Sequence, residues 1–318
     1  MSSMFRTRIT RRDVVKSTLA AGVVASLGNS TFSLANEATS PVITRPIPST
    51  GERLPVVGLG TNAYGVTEPA EIAARREVLQ QFPVLGARVV DTARGYGESE
   101  VVIGKLVAEL GNRNQLFIAT KTPNRGDIKP GNGELEDALA RLQTQRLDLL
   151  QVHNFHGVDE LFPRFKEWKQ AGKVRYIGVT TSTDDQYPQL INALKTLPLD
   201  FIQVDYSLDN RSADKEILPL AKEKGVAVLV NMPLGGRRDS LMPKLAGKPL
   251  PEWAPEIGVT SWAQLLLKYA VSHPAVTVAI PGTTKVSHLR DNQLAARGQL
   301  PDAGGRKRIE QLWETLGV

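Results

Sequence analysis

The sequence predicts an α/β chain closed into an eight-stranded (β/α)8 barrel, with an N-terminal β-hairpin and an extra C-terminal helix. Three observations carry this. Eight short runs recur at 54–60, 88–93, 116–121, 147–153, 174–180, 201–206, 227–232 and 276–281. Most are continuous Val, Ile and Leu without polar alternation, the pattern of parallel strands covered on both faces. Between them lie stretches with apolar residues at helical spacing, at 101–110, 133–142, 159–171, 213–224 and 261–272. Finally, glycines suited to ending helices stand just before strands, at Gly86, Gly111, Gly172 and Gly225.

Eight βα units within about 240 residues fit one large barrel domain. The hairpin is placed at 42–47 and the start of the first strand, joined around Ser49-Thr50-Gly51, where it plugs the barrel base. Residues 303–316 read as the terminal helix and 36–41 as a flexible leader. One pattern competes. Gly58-Leu59-Gly60-Thr61-Asn62-Ala63 fits the dinucleotide fingerprint after a strand, and Asp91 ends the next strand. A doubly wound fold needs a helix to begin inside that glycine turn. Here the chain runs on through Tyr64, Gly65 and Val66, and Thr67 with Pro69 marks the helix start.

Of the 318 residues, 41% are hydrophobic and 23% charged, as in an ordinary globular protein. The net charge is +6, but residues 1–35 hold Arg6, Arg8, Arg11, Arg12 and Lys16 against Asp13 alone. Four of the six net charges therefore sit there, and no basic block remains to bind nucleic acid. With no cysteine, disulfides, thiol catalysis and cysteine-ligated metals are excluded. Four histidines without a pair at ligand spacing predict no metal site.

Residues 1–35 read as an address. Thr10-Arg11-Arg12-Asp13-Val14-Val15-Lys16 precedes a small and apolar stretch that ends in Ser33-Leu34-Ala35, with small residues where a signal peptidase reads. The stretch is too interrupted by Gly, Ser and Asn to span a bilayer comfortably. It resembles a twin-arginine signal, which exports folded proteins. Cleavage after Ala35, the twin-arginine machinery as a transport partner, a periplasmic location and no stable membrane association afterwards are the expectations. A frayed basic amphipathic N-terminus is the plainer alternative.

In a barrel, chemistry gathers at the C-terminal ends of strands and in the loops after them. Asp91 ends the second strand, with Tyr96 five residues later in Asp91-Thr92-Ala93-Arg94-Gly95-Tyr96-Gly97; Lys121 ends the third and His153 the fourth. A lysine or aspartate closing an apolar strand is costly to desolvate unless paired. An Asp91–Lys121 pair leaves positive charge beside the tyrosine, which favours phenolate and lowers the phenol pKa from about 10. Tyr96 then suits proton donation to a carbonyl oxygen, with Lys121 tuning it, Asp91 holding Lys121 and His153 orienting the carbonyl. No side chain delivers hydride, so a reduced nicotinamide is required. Tyr96 as a loop aromatic, His153 as a core histidine and Asp91–Lys121 as a structural pair are the plainer readings. His156, His273 and His288 take theirs first.

These residues resemble the aldo-keto reductases over nearly all of 40–300. The match includes the Asp91 to Tyr96 spacing, Lys121, His153, Ile177-Gly178-Val179-Thr180, Gln203-Val204-Asp205-Tyr206, Pro233-Leu234-Gly235 and Ile280-Pro281-Gly282 with Asp291-Asn292. The resemblance supports the four roles above. It implies an extended NADP(H) across the barrel mouth, preferred to NAD(H), and a small aldehyde or ketone as substrate. It also implies that Gln203, Thr180 and Thr181 bond the nicotinamide carboxamide, although the family more often has Ser-Asn at the threonine pair. Asn231 stands where many members stack an aromatic. Gly60, Thr61 and Asn62 at the end of the first strand are assigned to the same cofactor.

For the pyrophosphate, backbone N–H groups of Leu234-Gly235-Gly236, just after Pro233, with Arg237 or Arg238 closing over it form a candidate cradle, those arginines being otherwise solvated. Gly282, Thr283, Thr284 and Lys285 before the helix near Val286 suit a phosphate, with His288 where relatives carry arginine. Asp291 and Asn292 are expected at the adenine. Tyr64, Asn154, Phe155 and Trp253 are candidate pocket walls, and the proline-rich 239–258 loop a cover. Two other accounts compete with this one. A nucleotide-bound sensor has no need of the four-residue cluster, and a lyase or isomerase barrel without nicotinamide has no need of Gln203 or the Pro281-Gly282 to Asn292 elements.

Overall fold

The computed structural model describes residues 40–236 and 240–317. Strands β3 (Leu59–Gly60), β4 (Val89–Asp91), β5 (Phe117–Lys121), β6 (Leu147–Val152), β7 (Val174–Thr180), β8 (Phe201–Asp205), β9 (Ala227–Asn231) and β10 (Val278–Ala279) form one parallel sheet in chain order. Parallel bridges Val57 to Ala279 and Gly60 to Gly282 join its two edges, with Gly60 N–H donating to Pro281 O at 3.0 Å. The sheet thus curls into the predicted barrel. Helices α1 (Pro69–Val84), α2 (Ser99–Leu110), α3 (Gly133–Arg141), α4 (Val158–Gln170), α5 (Tyr187–Thr196), α6 (Ile217–Glu223), α7 (Met242–Leu245), α8 (Trp262–Ser272), α9 (Val286–Leu294) and α10 (Ala303–Thr315) complete the chain. Among the described residues no helix is long and apolar enough to cross a membrane.

Local chemistry explains the boundaries. Pro69 opens α1, where its missing N–H costs nothing. Gly86, Gly111, Gly172 and Gly225 all take the left-handed φ that ends a helix, at 62–84°. Ser261 caps α8 by accepting from Gln264 N–H at 3.1 Å.

The expected first strand, 54–60, divides. Arg53–Pro55 is strand β2 of a hairpin with β1 (Thr44–Pro46), and only Leu59–Gly60 joins the barrel ladder. The last strand likewise shrinks to Val278–Ala279. Pro55 and Pro281 have no N–H for a ladder, so pairing at the closing seam is short.

Two cores result. The larger lies between sheet and helices. The smaller contains Val89, Phe117, Ala119, Leu149, Tyr176, Phe201, Ala227, Leu229, Val278 and Ile280 with Ile47 and Leu54 of the hairpin, which plugs the base. Side chains alternate along a strand. Continuing the inward positions two residues further gives Asp91 above Val89, Lys121 above Ala119, Gln151 above Leu149, Gln203 above Phe201 and Asn231 above Leu229. The barrel interior is apolar below and polar at the C-terminal mouth.

Candidate active site

Asp91 and Lys121 meet at that mouth. Lys121 Nζ donates to Asp91 Oδ2 at 2.6 Å and to the Thr92 carbonyl at 2.9 Å, and both side chains are almost wholly buried. Burial works against the lysine charge, but Asp91 and then Tyr96 outweigh it, so Lys121 is held above its ordinary value and stays cationic. Its ammonium lies 5.1 Å from the centre of the Tyr96 ring.

Tyr96 sits on the irregular segment between β4 and α2, with Asp91 and Tyr96 both facing one cavity. The Tyr96 hydroxyl is raised above its ordinary value, opposite to the expected direction. Burial is the largest cause; Lys121 pulls down, but Asp91 adds to the rise. The phenol is therefore protonated at neutral pH.

His153 follows β6 and meets the Tyr96 ring edge-on, with centroids 6.1 Å apart at 86°. Asn154 and Phe155 turn the chain sharply at φ 51° and 60°, and Thr180 Oγ1 pins the turn by accepting from Asn154 N–H at 3.0 Å. Burial first and the Lys121 charge second push the His153 imidazole down to about 3, against a backbone hydrogen bond at Thr122. A neutral imidazole donates one hydrogen bond and accepts one. Burial, then Arg306, Arg45 and Lys222, pushes His273 down to about 4. The unfolded chain protonates both near pH 6.5, whereas the folded protein resists. Stability from this source is fully present above that pH and is lost as pH falls towards 4 and 3, by at most about 1.4 kcal/mol per unit for each histidine. His153→Gln should flatten the urea-stability profile between pH 7 and 5, and kcat should show no limb near 6.5. A limb there that vanishes in His153→Gln would mean that the imidazole titrates freely.

The cavity at the mouth holds about 350 Å³, within the range of small-molecule sites. Of the residues assigned to a cofactor, Gly60, Thr61, Asn62, Gln203, Asn231, Pro233, Leu234, Gly235, Pro281 and Gly282 line it. Thr283, Thr284, Lys285 and His288 line an adjoining cavity of about 290 Å³ with Ala63 and Tyr64. The two share Gly60, Asn62 and Gly282, and a Cβ on Gly282 would lie 3.4 Å from Asn62 Oδ1. The second cavity lies against the N-terminus of α9, whose cap residue Lys285 leaves its first N–H groups without a side-chain partner.

Several of the assigned residues lie away from both cavities or are engaged elsewhere. Thr180 and Thr181 are buried and line neither cavity; Thr180 Oγ1 holds Asn154, and Thr181 Oγ1 donates to Gln186 Oε1 at 2.8 Å. Ser182 faces the cavity instead. Asp291 accepts from Ser261 Oγ and Gln264 Nε2, each at 2.7 Å, tying α9 to the start of α8, and Asn292 is buried beside neither cavity. In the expected pyrophosphate cradle, Gly235 N–H already donates to Met232 O at 3.0 Å and Gly236 N–H to Asp209 Oδ2 at 2.8 Å. Arg237 and Arg238 lie outside the described residues, as does the stretch 1–39 with its expected signal. Trp253 packs under the Arg308 guanidinium of α10, 4.6 Å from its ring centre, and Phe155 faces a groove between α4 and α5.

Gln203 lines the cavity but also reaches inward, its Nε2 3.3 Å from Asp91 Oδ2. Beyond it lies Gln151, whose Nε2 approaches Gln203 Oε1 at 3.5 Å. Gln151, Ser182, Met232 and Ser240 were not singled out from the sequence. For Gln151 a signal existed: it lies two residues before His153, hence on the same face of its strand. Asn231 Nδ2 donates to Thr181 O at 3.0 Å, which leaves its Oδ1 buried and unpartnered.

A model of the aldo/keto reductase family matches residues 56–314. The chain is 34% identical over 207 residues to aldo-keto reductase YhdN of Bacillus subtilis, a match covering 58% of this chain and 60% of that protein. It is 28% identical over 300 residues to L-galactose dehydrogenase of Arabidopsis thaliana, covering 82% and 89%. Among solved structures, an aldo/keto reductase from Klebsiella pneumoniae in complex with NADP and acetate superposes with a TM-score of 0.69 at 25% identity, covering 83% and 93%. The holo form of AKR11C1 from Bacillus halodurans gives 0.68 at 26%, covering 86% and 96%. With the family model spanning the whole barrel and the buried Asp91–Lys121 pair beneath Tyr96 at its mouth, this chain belongs to the aldo/keto reductase family.

Proposed function

We propose that this protein is an NADP(H)-dependent oxidoreductase that reduces a small aldehyde or ketone to the alcohol, with Tyr96 as the proton donor. The observation that carries this is the protonated, half-buried Tyr96 facing the cavity with the Lys121 ammonium against its ring. A raised pKa keeps the proton on Tyr96 until a carbonyl oxygen gathers negative charge. Lys121 then stabilises the phenolate that remains, and Asp91 keeps Lys121 charged and in place. His153, neutral and edge-on to Tyr96, would hold the same oxygen by a hydrogen bond.

NADP(H), when bound, supplies the hydride that the carbonyl carbon requires. The residues present fit it. Two cavities that share Gly60, Asn62 and Gly282 suit an extended molecule, and Asn231 Oδ1 is a buried acceptor without a donor. Gly60, Asn62, Gln203, Asn231, Pro281 and Gly282 would hold one end. Thr283, Thr284, Lys285 and His288 would hold a phosphate at the other, which favours NADP(H) over NAD(H). The Klebsiella pneumoniae neighbour, a complex with NADP, supports the same choice.

The test is titration of the purified protein with NADPH and NADH by cofactor fluorescence, followed by NADPH oxidation with a panel of small aldehydes and ketones. Binding with turnover is the expected result. No binding of either nucleotide overturns the assignment, and binding without turnover on any carbonyl replaces it with a nucleotide-bound sensor.

Residues 1–35 form the second part of the proposal: a twin-arginine signal that exports the folded protein to the periplasm and is cleaved after Ala35. Arg11-Arg12, the apolar stretch after them and Ser33-Leu34-Ala35 support it. A folded-state route lets the enzyme leave with its cofactor bound. Replacing Arg11 and Arg12 by lysine should leave the protein in the cytoplasmic fraction. Unchanged delivery to the periplasm refutes this route.

A further inference from the structure

Tyr96 lies outside regular secondary structure, so no ladder sets its height above Lys121. Local backbone bonds shape the segment: Tyr96 N–H donates to Ala93 O at 3.1 Å, and Ser99 N–H to Tyr96 O at 3.2 Å. A side chain from another βα unit also reaches it. Arg141, the last residue of α3, donates from Nη2 to the carbonyl of Gly97 at 2.7 Å. Gly97 follows Tyr96 directly.

The same guanidinium is held from behind. Arg141 Nε donates to Glu100 Oε2 at 3.0 Å, and Glu100 Oε1 accepts from Thr120 Oγ1 at 2.5 Å. Glu100 is wholly buried in the first turn of α2, and the Arg141 side chain is only 14% exposed. Thr120 immediately precedes Lys121 on β5. An unbroken chain, Thr120 to Glu100 to Arg141 to Gly97, thus joins the strand that carries the lysine to the segment that carries the tyrosine.

The arginine starts from a fixed place. One turn along α2 from Glu100, a Cβ on Gly104 would lie 2.4 Å from the Arg141 carbonyl oxygen. The end of α3 therefore rests on the α2 backbone, where only glycine fits. A buried carboxylate–guanidinium pair stabilises a fold little more than apolar side chains of the same volume. What a planar fork adds is geometry, since its arms hold two groups at a set separation.

We propose that Arg141, held by Glu100, is a positioning residue that sets the Tyr96 hydroxyl against Lys121 through the Gly97 carbonyl. It touches no reacting atom, and its role rests on Tyr96 being the proton donor. Two variants test it. Arg141→Lys keeps the charge opposite Glu100 but cannot hold both groups. Glu100→Gln/Arg141→Met removes the ion pair with little change of volume.

Each should lower kcat by about 10–100-fold, as a displacement on the order of 1 Å does, with carbonyl KM and NADPH affinity within twofold. A phenol further from Lys121 loses its downward pull, so the alkaline limb of the kcat profile should move to higher pH. Folded variants with kcat within twofold of the parent overturn the proposal. So does a fall in kcat matched by loss of NADPH affinity with the limb unmoved, since that is a merely structural effect. If the double variant fails to fold, Arg141→Lys decides. Tyr96→Phe is measured alongside. If its kcat stays within tenfold of the parent, the proton-donor assignment fails and this role with it. If it abolishes turnover while both other variants match the parent, only the positioning role fails.

Discussion

Tyr96→Phe should lose carbonyl reduction by about 10²–10⁴-fold, the range attributable to a positioned general acid, while binding NADPH nearly as tightly as the parent. The change deletes one oxygen and leaves the ring, so the edge-on packing with His153 and the face presented to Lys121 persist. What disappears is the proton. With neutral His153 and cationic Lys121 still present, residual turnover should remain from hydrogen bonding to the carbonyl alone. Steady-state rates with a fixed aldehyde and a fluorescence titration of NADPH measure the two quantities separately. Loss of cofactor affinity equal to the loss of rate would show that the hydroxyl binds rather than donates.

Lys121→Met should abolish most activity and also cost about 3–5 kcal/mol of stability, because it strands a buried carboxylate. Asp91 Oδ1 already lacks a partner, and Oδ2 would keep only the Gln203 amide at 3.3 Å. The stranded group is relieved by taking up a proton, so its folded pKa rises far above the unfolded one. Stability from a raised carboxyl is complete below the unfolded value and is lost as pH rises towards the folded value. The variant should therefore be closest to the parent near pH 4–5 and furthest from it near pH 8. Urea denaturation at those pH values reads this directly. Asp91→Leu/Lys121→Met should recover much of the stability and none of the turnover. A single variant as stable as the parent at pH 8 would mean that the pair is not a desolvated ion pair.

The barrel was legible because its signals are local. Eight unalternating apolar runs, helical stretches between them and glycines in left-handed φ at 86, 111, 172 and 225 each depend on a few neighbouring residues. The same holds for Asp91, Lys121 and His153: a polar residue closing an apolar strand is a statement about one strand end, and the barrel brings all strand ends together. Where two elements had to meet in register, the reading weakened. The closing seam reduced the first and last strands to two residues each, since prolines there cannot extend the ladder.

Side-chain commitments were the least legible, for the same reason. Whether Thr180 faces a cofactor depends on the turn after His153 placing Asn154 N–H against its hydroxyl, and whether Asp291 is free depends on α8 arriving with Ser261 and Gln264. Even the direction of the Tyr96 shift followed from depth: residue types alone count the Lys121 charge, whereas the packed barrel adds desolvation and Asp91, and together these win. Chain pattern thus told which residues reach the mouth, because strand period and strand ends are properties of adjacent residues. Which of them remain available for chemistry was settled by packing, because a hydrogen bond or a buried charge belongs to partners distant in the chain.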